Sequence, residues 1–176
     1  GIFVATGTVT RSTGKNIASV LSRSLAKDRY TAVLELIINS YDADAHNVWI
    51  DYDEKAGSLV LEDDGLGMDE VGIQNFYRMG DSEKKFNPST PGGRKKIGQF
   101  GVAAILLEYL AGSYTLETWK DGQKITVNEE FDETRQGIDP QANISEAPDE
   151  KHGTRLSLGD LKFNRPDFSL EKLVGI

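Results

Sequence analysis

The sequence predicts an α/β sandwich in which helices pack on one face of a mixed, mostly antiparallel sheet. Three observations predict it. Apolar residues in the first quarter recur at helical spacing (Ile17, Val20, Leu21, Leu25, then Val33, Leu34, Ile37, Ile38). Short alternating or branched-rich runs follow, separated by turn residues. Helices come first and then strands and helices interleave, which suits a two-layer sandwich.

The elements follow in order. Residues 2–10 alternate weakly and read as a strand or an arm, so 1–14 is set apart from a domain spanning 15–176. Ser12 or Thr13 caps an expected helix over Asn16 to Lys27. Thr31 caps a second helix running through Ala43, with Val33, Leu34, Ile37 and Ile38 as its buried stripe. Asn47 to Tyr52 alternates as a strand, Lys55-Ala56-Gly57 turns, and Ser58 to Glu62 returns. Asp69 caps a helix reaching Arg78. Residues 80–101 are rich in Gly, Pro, Ser, Asn and Lys, and a loop of that length inside a compact domain is usually a lid or binding loop. A helix over Val102 to Leu110 follows, then strands at Tyr114–Trp119 and Lys124–Asn128. Residues 132–152 read as polar and irregular, and Thr154 to Leu158 as a last strand.

Composition bounds the function. A chain of 176 residues with 38% hydrophobic content fits one domain with a packed core. The absence of cysteine excludes disulfides, cysteine-ligated zinc and thiol catalysis, and suits a reducing, cytoplasmic setting. With 20 Lys plus Arg against 28 Asp plus Glu, the net charge of −8 argues against a surface devoted to nucleic acid. The local cations Lys84, Lys85, Arg94, Lys95 and Lys96 suit a small anionic ligand. No apolar run approaches the ~20 residues needed to span a bilayer. The chain ends on FSLEKLVGI without a stop signal, and is expected to be a segment of a longer protein.

Four segments carry chemistry. In ELIINSYDADA, residues 35–45, Glu35 and Asn39 are four apart and share a helix face, with Asp42 nearby. A carboxamide oxygen suits Mg²⁺, a hard ion shared with phosphates, and a carboxylate one turn away can accept a proton from water. A solvated polar stripe would look the same. In DDGLGM, residues 63–68, a carboxylate at a strand end can accept from an exocyclic amine, Gly65 and Gly67 permit close approach, and Met68 offers a soft surface to a flat ring. In GGRKKIGQFGVAA, residues 92–104, Gly98 and Gly101 lead into a helix N-terminus, where phosphates bind readily. This is neither a Walker A motif nor a dinucleotide fingerprint. In HGTRLSL, residues 152–158, the Thr154 hydroxyl can bond a base or a bound water.

In their order and spacing, these segments resemble the GHKL superfamily of ATPases: DNA gyrase B subunits, the ninety-kilodalton heat-shock chaperones, MutL and MORC proteins, and histidine kinases. Glu35, Asn39, Asp42 and Ala43 match the family's first motif. Asp63, Gly65, Gly67 and Met68 match the second, Gly98 and Gly101 the third, and Gly153 and Thr154 the last. The resemblance runs from about residue 15 to 160 and is closest to the chaperone-, MutL- and MORC-like hydrolysing branch. It implies the Bergerat fold. It implies that ATP and Mg²⁺ are the cofactors, that Asn39 holds the metal and that Glu35 activates water. Asp63 would bind the adenine amine, and Thr154 would support the base. Lys96 and the run Gly98, Gln99, Phe100, Gly101, Val102, Ala103 would contact the phosphates, and the lid would be about 80–101. Asp64 stands where many members carry Asn or Thr. A phosphate-binding lysine that some relatives take from a following domain implies slow turnover for this segment alone.

The expected function is therefore Mg-dependent ATP hydrolysis that drives lid closure and dimerisation of a larger protein, its client unspecified. An ATP-binding switch with negligible hydrolysis is the rival from another class. A histidine kinase is the rival within the family. Kinases usually carry Asn where Glu35 stands, and neither His46 nor His152 lies in a dimerisation helix.

Overall fold

The computed structural model describes residues 4–8, 12–13, 29–79, 103–131 and 140–163. The expected helix over Asn16 to Lys27 and the loop at 80–101 lie outside those residues. Within them the chain forms β1 (Val4–Thr8), β2 (Ser12–Thr13), α1 (Arg29–Asp42), β3 (Val48–Asp53), β4 (Ser58–Asp63) and α2 (Glu70–Tyr77). It continues through β5 (Arg78–Met79), α3 (Ala103–Leu110), β6 (Ala111–Lys120), β7 (Gln123–Glu130), β8 (Gln141–Glu146) and β9 (Gly153–Leu161).

Seven strands make one sheet in the order β1-β8-β7-β6-β9-β4-β3. Each neighbouring pair in it is antiparallel. Among the described residues, parallel pairing is confined to the short β2–β5 pair. The expected sandwich is thus present. Strand alternation sets its faces. In β3, Val48, Ile50 and Tyr52 turn inward while Trp49, Asp51 and Asp53 are exposed. Leu59 and Leu61 of β4, Leu116 of β6, Ile125 and Val127 of β7, and Leu156 and Leu158 of β9 join the same inner layer. Ala32, Val33 and Leu36 of α1, Ile73 and Tyr77 of α2, and Leu106, Leu107 and Leu110 of α3 pack into it.

Several boundaries differ from the sequence reading. Helix α1 begins at Arg29, so Thr31 lies inside its first turn instead of capping it. Its most deeply buried residues are Ala32, Val33 and Leu36, with Leu34 and Ile37 only partly covered. Residues 132–152 are not wholly irregular, because Gln141–Glu146 forms β8 between β7 and β1. Only Ala142 and Ile144 of that strand face inward, opposite Val127 and Ile125. The polar Gln141, Asn143 and Ser145 between them hide the alternation. By contrast Asp69 caps α2 as expected, accepting from the Gly72 amide at 2.8 Å.

One polar chain ties the layers together. The Tyr77 and Tyr114 hydroxyls are 2.6 Å apart, and Tyr114 donates to Glu129 Oε1 at 2.9 Å. Burial, with Tyr77 and Glu129 beside it, pushes the Tyr114 phenol above its ordinary range, so it remains a donor. Among the described residues no helix is long and apolar enough to cross a membrane.

Candidate functional site

The site forms where the C-terminal end of α1 meets the loop after β4. A helix leaves its last carbonyls without helical partners. Here the Ala43 carbonyl accepts from the Leu66 amide at 2.8 Å. Asp44, at φ 58°, turns the chain out of the helix. Asp64 then clamps the exit. Its Oδ1 accepts from the His46 and Asn47 amides at 2.8 Å each, and its Oδ2 accepts from Asn47 Nδ2 at 2.9 Å. These bonds hold the Asp64 carboxyl well below the usual range, at about 2. Asp64 is therefore a structural staple.

Asp63, one residue earlier, faces inward. Ser40 Oγ of α1 donates to its Oδ2, and the Gly65 amide donates to its Oδ1, both at 2.9 Å. The Thr154 backbone of β9 adds a third bond. A carboxylate offers about four lone-pair directions, one more than these three donors use. Burial raises the Asp63 pKa above the ordinary carboxylate value, more than the Gly65, Ser40 and Thr154 bonds lower it.

Beside Asp63, strand register brings threonines together. Thr154 pairs with Asp63 on one side and with Thr118 on the other. The fully buried Thr118 Oγ accepts from the Met68 amide at 2.8 Å and lies 3.0 Å from Thr154 Oγ and 3.2 Å from the Gly153 carbonyl. Two glycines allow this closeness. Gly67, at φ 72°, lies where a Cβ would overlap the Trp119 carbonyl, and Gly153, at φ 128°, where it would overlap the Asp63 carbonyl.

The result is a pocket of about 100 Å³. Asn39, Ala43, Asp63, Gly67, Met68 and Thr154, all singled out in the sequence, line it. So do Leu36, Ser40, Leu61, Phe76, Leu116 and Leu156, which supply a largely apolar wall. Gly65 stands behind the pocket through its bond to Asp63. Glu35 is not in the lining. It lies one helical turn before Asn39, half-buried, and burial and then the Asp42 charge raise its pKa. Lys96, Gly98, Gln99, Phe100, Gly101 and Val102 lie outside the described residues, and Ala103 is the first residue of α3. Sequence reading missed Ser40, Thr118 and His152. Ser40 had a signal in its place beside Asn39, but Thr118 is recognisable only from strand register. A wider trough of about 550 Å³, lined in part by Ser113, Thr115, Asn128 and Ser157, holds none of the candidate site residues.

Apart from Leu156, the residues lining this pocket fall within the stretch that a known family shares with the chain. The profile for the family described as Histidine kinase-, DNA gyrase B-, and HSP90-like ATPase matches residues 28–154. The chaperone protein HtpG of Francisella tularensis subsp. novicida is 33% identical over 115 residues, covering 62% of this chain and 18% of that protein. HtpG of Alcanivorax borkumensis is 29% identical over 132 residues, covering 70% of this chain and 21% of its own. A candidate type II restriction enzyme, HgiDII of Herpetosiphon aurantiacus, is 29% identical over 108 residues, covering 61% and 17%. The chain thus spans about a fifth of the length of these relatives.

Asp63→Asn is expected to stabilise the ligand-free protein at neutral pH, because it removes a partly buried charge while Oδ1 still accepts from Gly65 and the amide can donate to Ser40. A group with a raised folded-state pKa contributes stability below its unfolded pKa, near 3.8, and loses it as pH rises through the folded value. The gain should therefore shrink on acidification towards pH 4. Urea unfolding at pH 7 and pH 4 checks this, and a variant less stable than wild type at pH 7 would contradict it.

Proposed function

Because the chain belongs to the histidine kinase-, DNA gyrase B- and HSP90-like ATPases, we propose that it binds ATP with Mg²⁺ and hydrolyses it, using Glu35 as the general base. The observation that carries this reading is the Asp63 pocket, where a partly buried carboxylate borders a largely apolar wall. Adenine supplies what that pocket lacks: an exocyclic amine to donate to Asp63 and a flat apolar ring for Met68 and its neighbours. Thr154 has a hydroxyl in the same lining, suited to a ring nitrogen or a bound water.

Asn39 fits the metal by the chemistry of its side chain. Its half-buried carboxamide borders the pocket on the same helix face as Glu35. No group of three or more His, Asp or Glu side chains that could cage a metal occurs among the described residues. An ion shared with phosphates, and held by few protein ligands, suits that sparse set. When bound, Mg²⁺ would neutralise charge on the phosphate oxygens. Glu35, about one turn from Asn39, would take the proton of the attacking water. Its pKa, raised by burial and then by the Asp42 charge, suits this, because a stronger base accepts a proton more readily.

Lys96 and the run Gly98 to Ala103 would hold the phosphates, and residues 80–101 would close as a lid. Lid closure would favour a dimer of the larger protein, with residues 1–14 as an exchangeable arm. The cysteine-free sequence suits the cytoplasmic setting we assign to it. The client stays open, since relatives of this chain include chaperones and a candidate restriction enzyme.

Three measurements test the reading. Glu35→Ala should lower phosphate release by about 10²–10⁴-fold and leave ATP affinity within about threefold. If wild type binds ATP and its turnover equals that of the variant, the chain is a binding switch and Glu35 is no base. Asp42→Asn should move the acid limb of the turnover–pH profile to lower pH, because removing the neighbouring negative charge lowers the Glu35 pKa and keeps the base ionised further into acid. An unmoved limb would exclude the assignment of that limb to Glu35. Sedimentation of the longer protein with a non-hydrolysable ATP analogue should show a dimer, and a persistent monomer would rule out the coupling.

A further inference from the structure

His152 stands outside the pocket lining, yet it touches the loop that shapes the pocket. Its Nδ1 lies 2.6 Å from the Gly65 carbonyl oxygen, across 87 positions of sequence. A carbonyl can only accept, so Nδ1 must carry the hydrogen. Gly65 is thus held at both ends of its backbone, since its own amide donates to Asp63 Oδ1 at 2.9 Å. The next residue, Gly153, abuts the Asp63 carbonyl, and Thr154 follows as the strand partner of Asp63. One short segment therefore braces both sides of the same carboxylate.

We propose that His152 is a positioning residue that sets base selectivity: by holding the Gly65 peptide it orients the Asp63 carboxylate to accept an amine donor, and so favours adenine over guanine nucleotides. This rests on the ATP reading above. Adenine carries an exocyclic amine where guanine carries a carbonyl oxygen, which an ionised carboxylate repels. Selectivity therefore depends on keeping the Asp63 oxygen aimed and unable to swing away. The Ser40 bond holds one oxygen from the helix side, and the His152–Gly65 chain holds the other from the strand side. The imidazole is exposed at its outer edge, so its replacement leaves the core intact.

The test compares wild type, His152→Ala and His152→Asn. Asparagine places an amide nitrogen at the position of Nδ1 and keeps the donor. ATP and GTP affinities are measured by calorimetry with Mg²⁺, and thermal melting is followed without nucleotide. His152→Ala should weaken ATP binding about five- to tenfold, as expected for one lost hydrogen bond. GTP binding should hardly change, so the ATP-to-GTP preference falls by the same factor. His152→Asn should stay within about twofold of wild type on both nucleotides. Equal loss for ATP and GTP, no loss, or failure of asparagine to restore the preference would overturn the proposal. Should wild type itself bind no ATP, the functional reading fails instead. In that case, imidazole ¹⁵N shifts of the nucleotide-free protein in alkaline buffer still decide the geometry: a proton on Nε2 rather than Nδ1 would remove the bond and with it the positioning role.

Discussion

The structure around the pocket depends on one partly buried carboxylate. Asp63 ends an inner-layer strand, where its side chain must point towards the core. An ionised group there is unfavourable unless donors surround it. Its donors come from Ser40 of α1, from Gly65 in the following loop and from the Thr154 backbone in β9. Placing the charge therefore fixes how the helix, the loop and the central strand meet. The glycine at 153 follows from the same demand, since a side chain there would push β9 away from the Asp63 backbone.

Asp64 shows what the adjacent residue does with the same chemistry at the surface. Its oxygens collect three donors from His46 and Asn47 in open solvent, so its charge is favoured and its pKa falls to about 2. Asp63 moves the other way because burial outweighs its bonds. The two carboxylates thus oppose each other in acid. As pH falls from about 4 towards 2, protonating Asp64 removes stability. Above that range, protonating Asp63 relieves the cost of a partly buried charge, and this gain is complete by about pH 4. One residue holds the helix exit to the loop, and the other joins the helix, the loop and β9 at the pocket. Consecutive residues can divide these tasks because a strand end points alternate side chains to opposite faces.

How much of this is legible in the sequence follows from how local each relation is. Glu35 and Asn39 are readable because helical spacing alone puts them on one face. Asp63 is readable because an apolar run ends abruptly in Asp-Asp-Gly. The Asp69 cap is readable because capping spans three residues. Strand β8 is not, because only Ala142 and Ile144 of its six residues mark the inner face. Thr118 and His152 are not, because their meaning comes from partners 50 and 87 positions away, Met68 and Gly65. No window of sequence contains such a pair, and no residue type announces it. The start of α1 fails for another reason: Thr31 is a good cap by chemistry, but Ala32, Val33 and Leu36 are drawn fully into the core and the helix begins two residues earlier.

The site can be found without its motifs, from where local rules are broken. The outer face of the sheet obeys them. Arg155 sits between Glu62 and Glu117 at 3.2 and 3.6 Å, and Lys124, Lys151 and Arg155 lie over the Trp119 ring at 4.8–5.6 Å. Exposed pairs of this kind contribute little individually and need no special geometry. On the inner side, by contrast, two carboxyl pKa values rise, two glycines adopt left-handed or crowded backbone positions, and a histidine from a distant strand end grips a loop carbonyl. All but Glu35 concentrate on one short loop and its strand neighbour. Natural sequences tolerate such departures where function compensates for them. They converge on Asp63, with the raised carboxyl of Glu35 one turn before Asn39, which is the arrangement that the proposed function draws on.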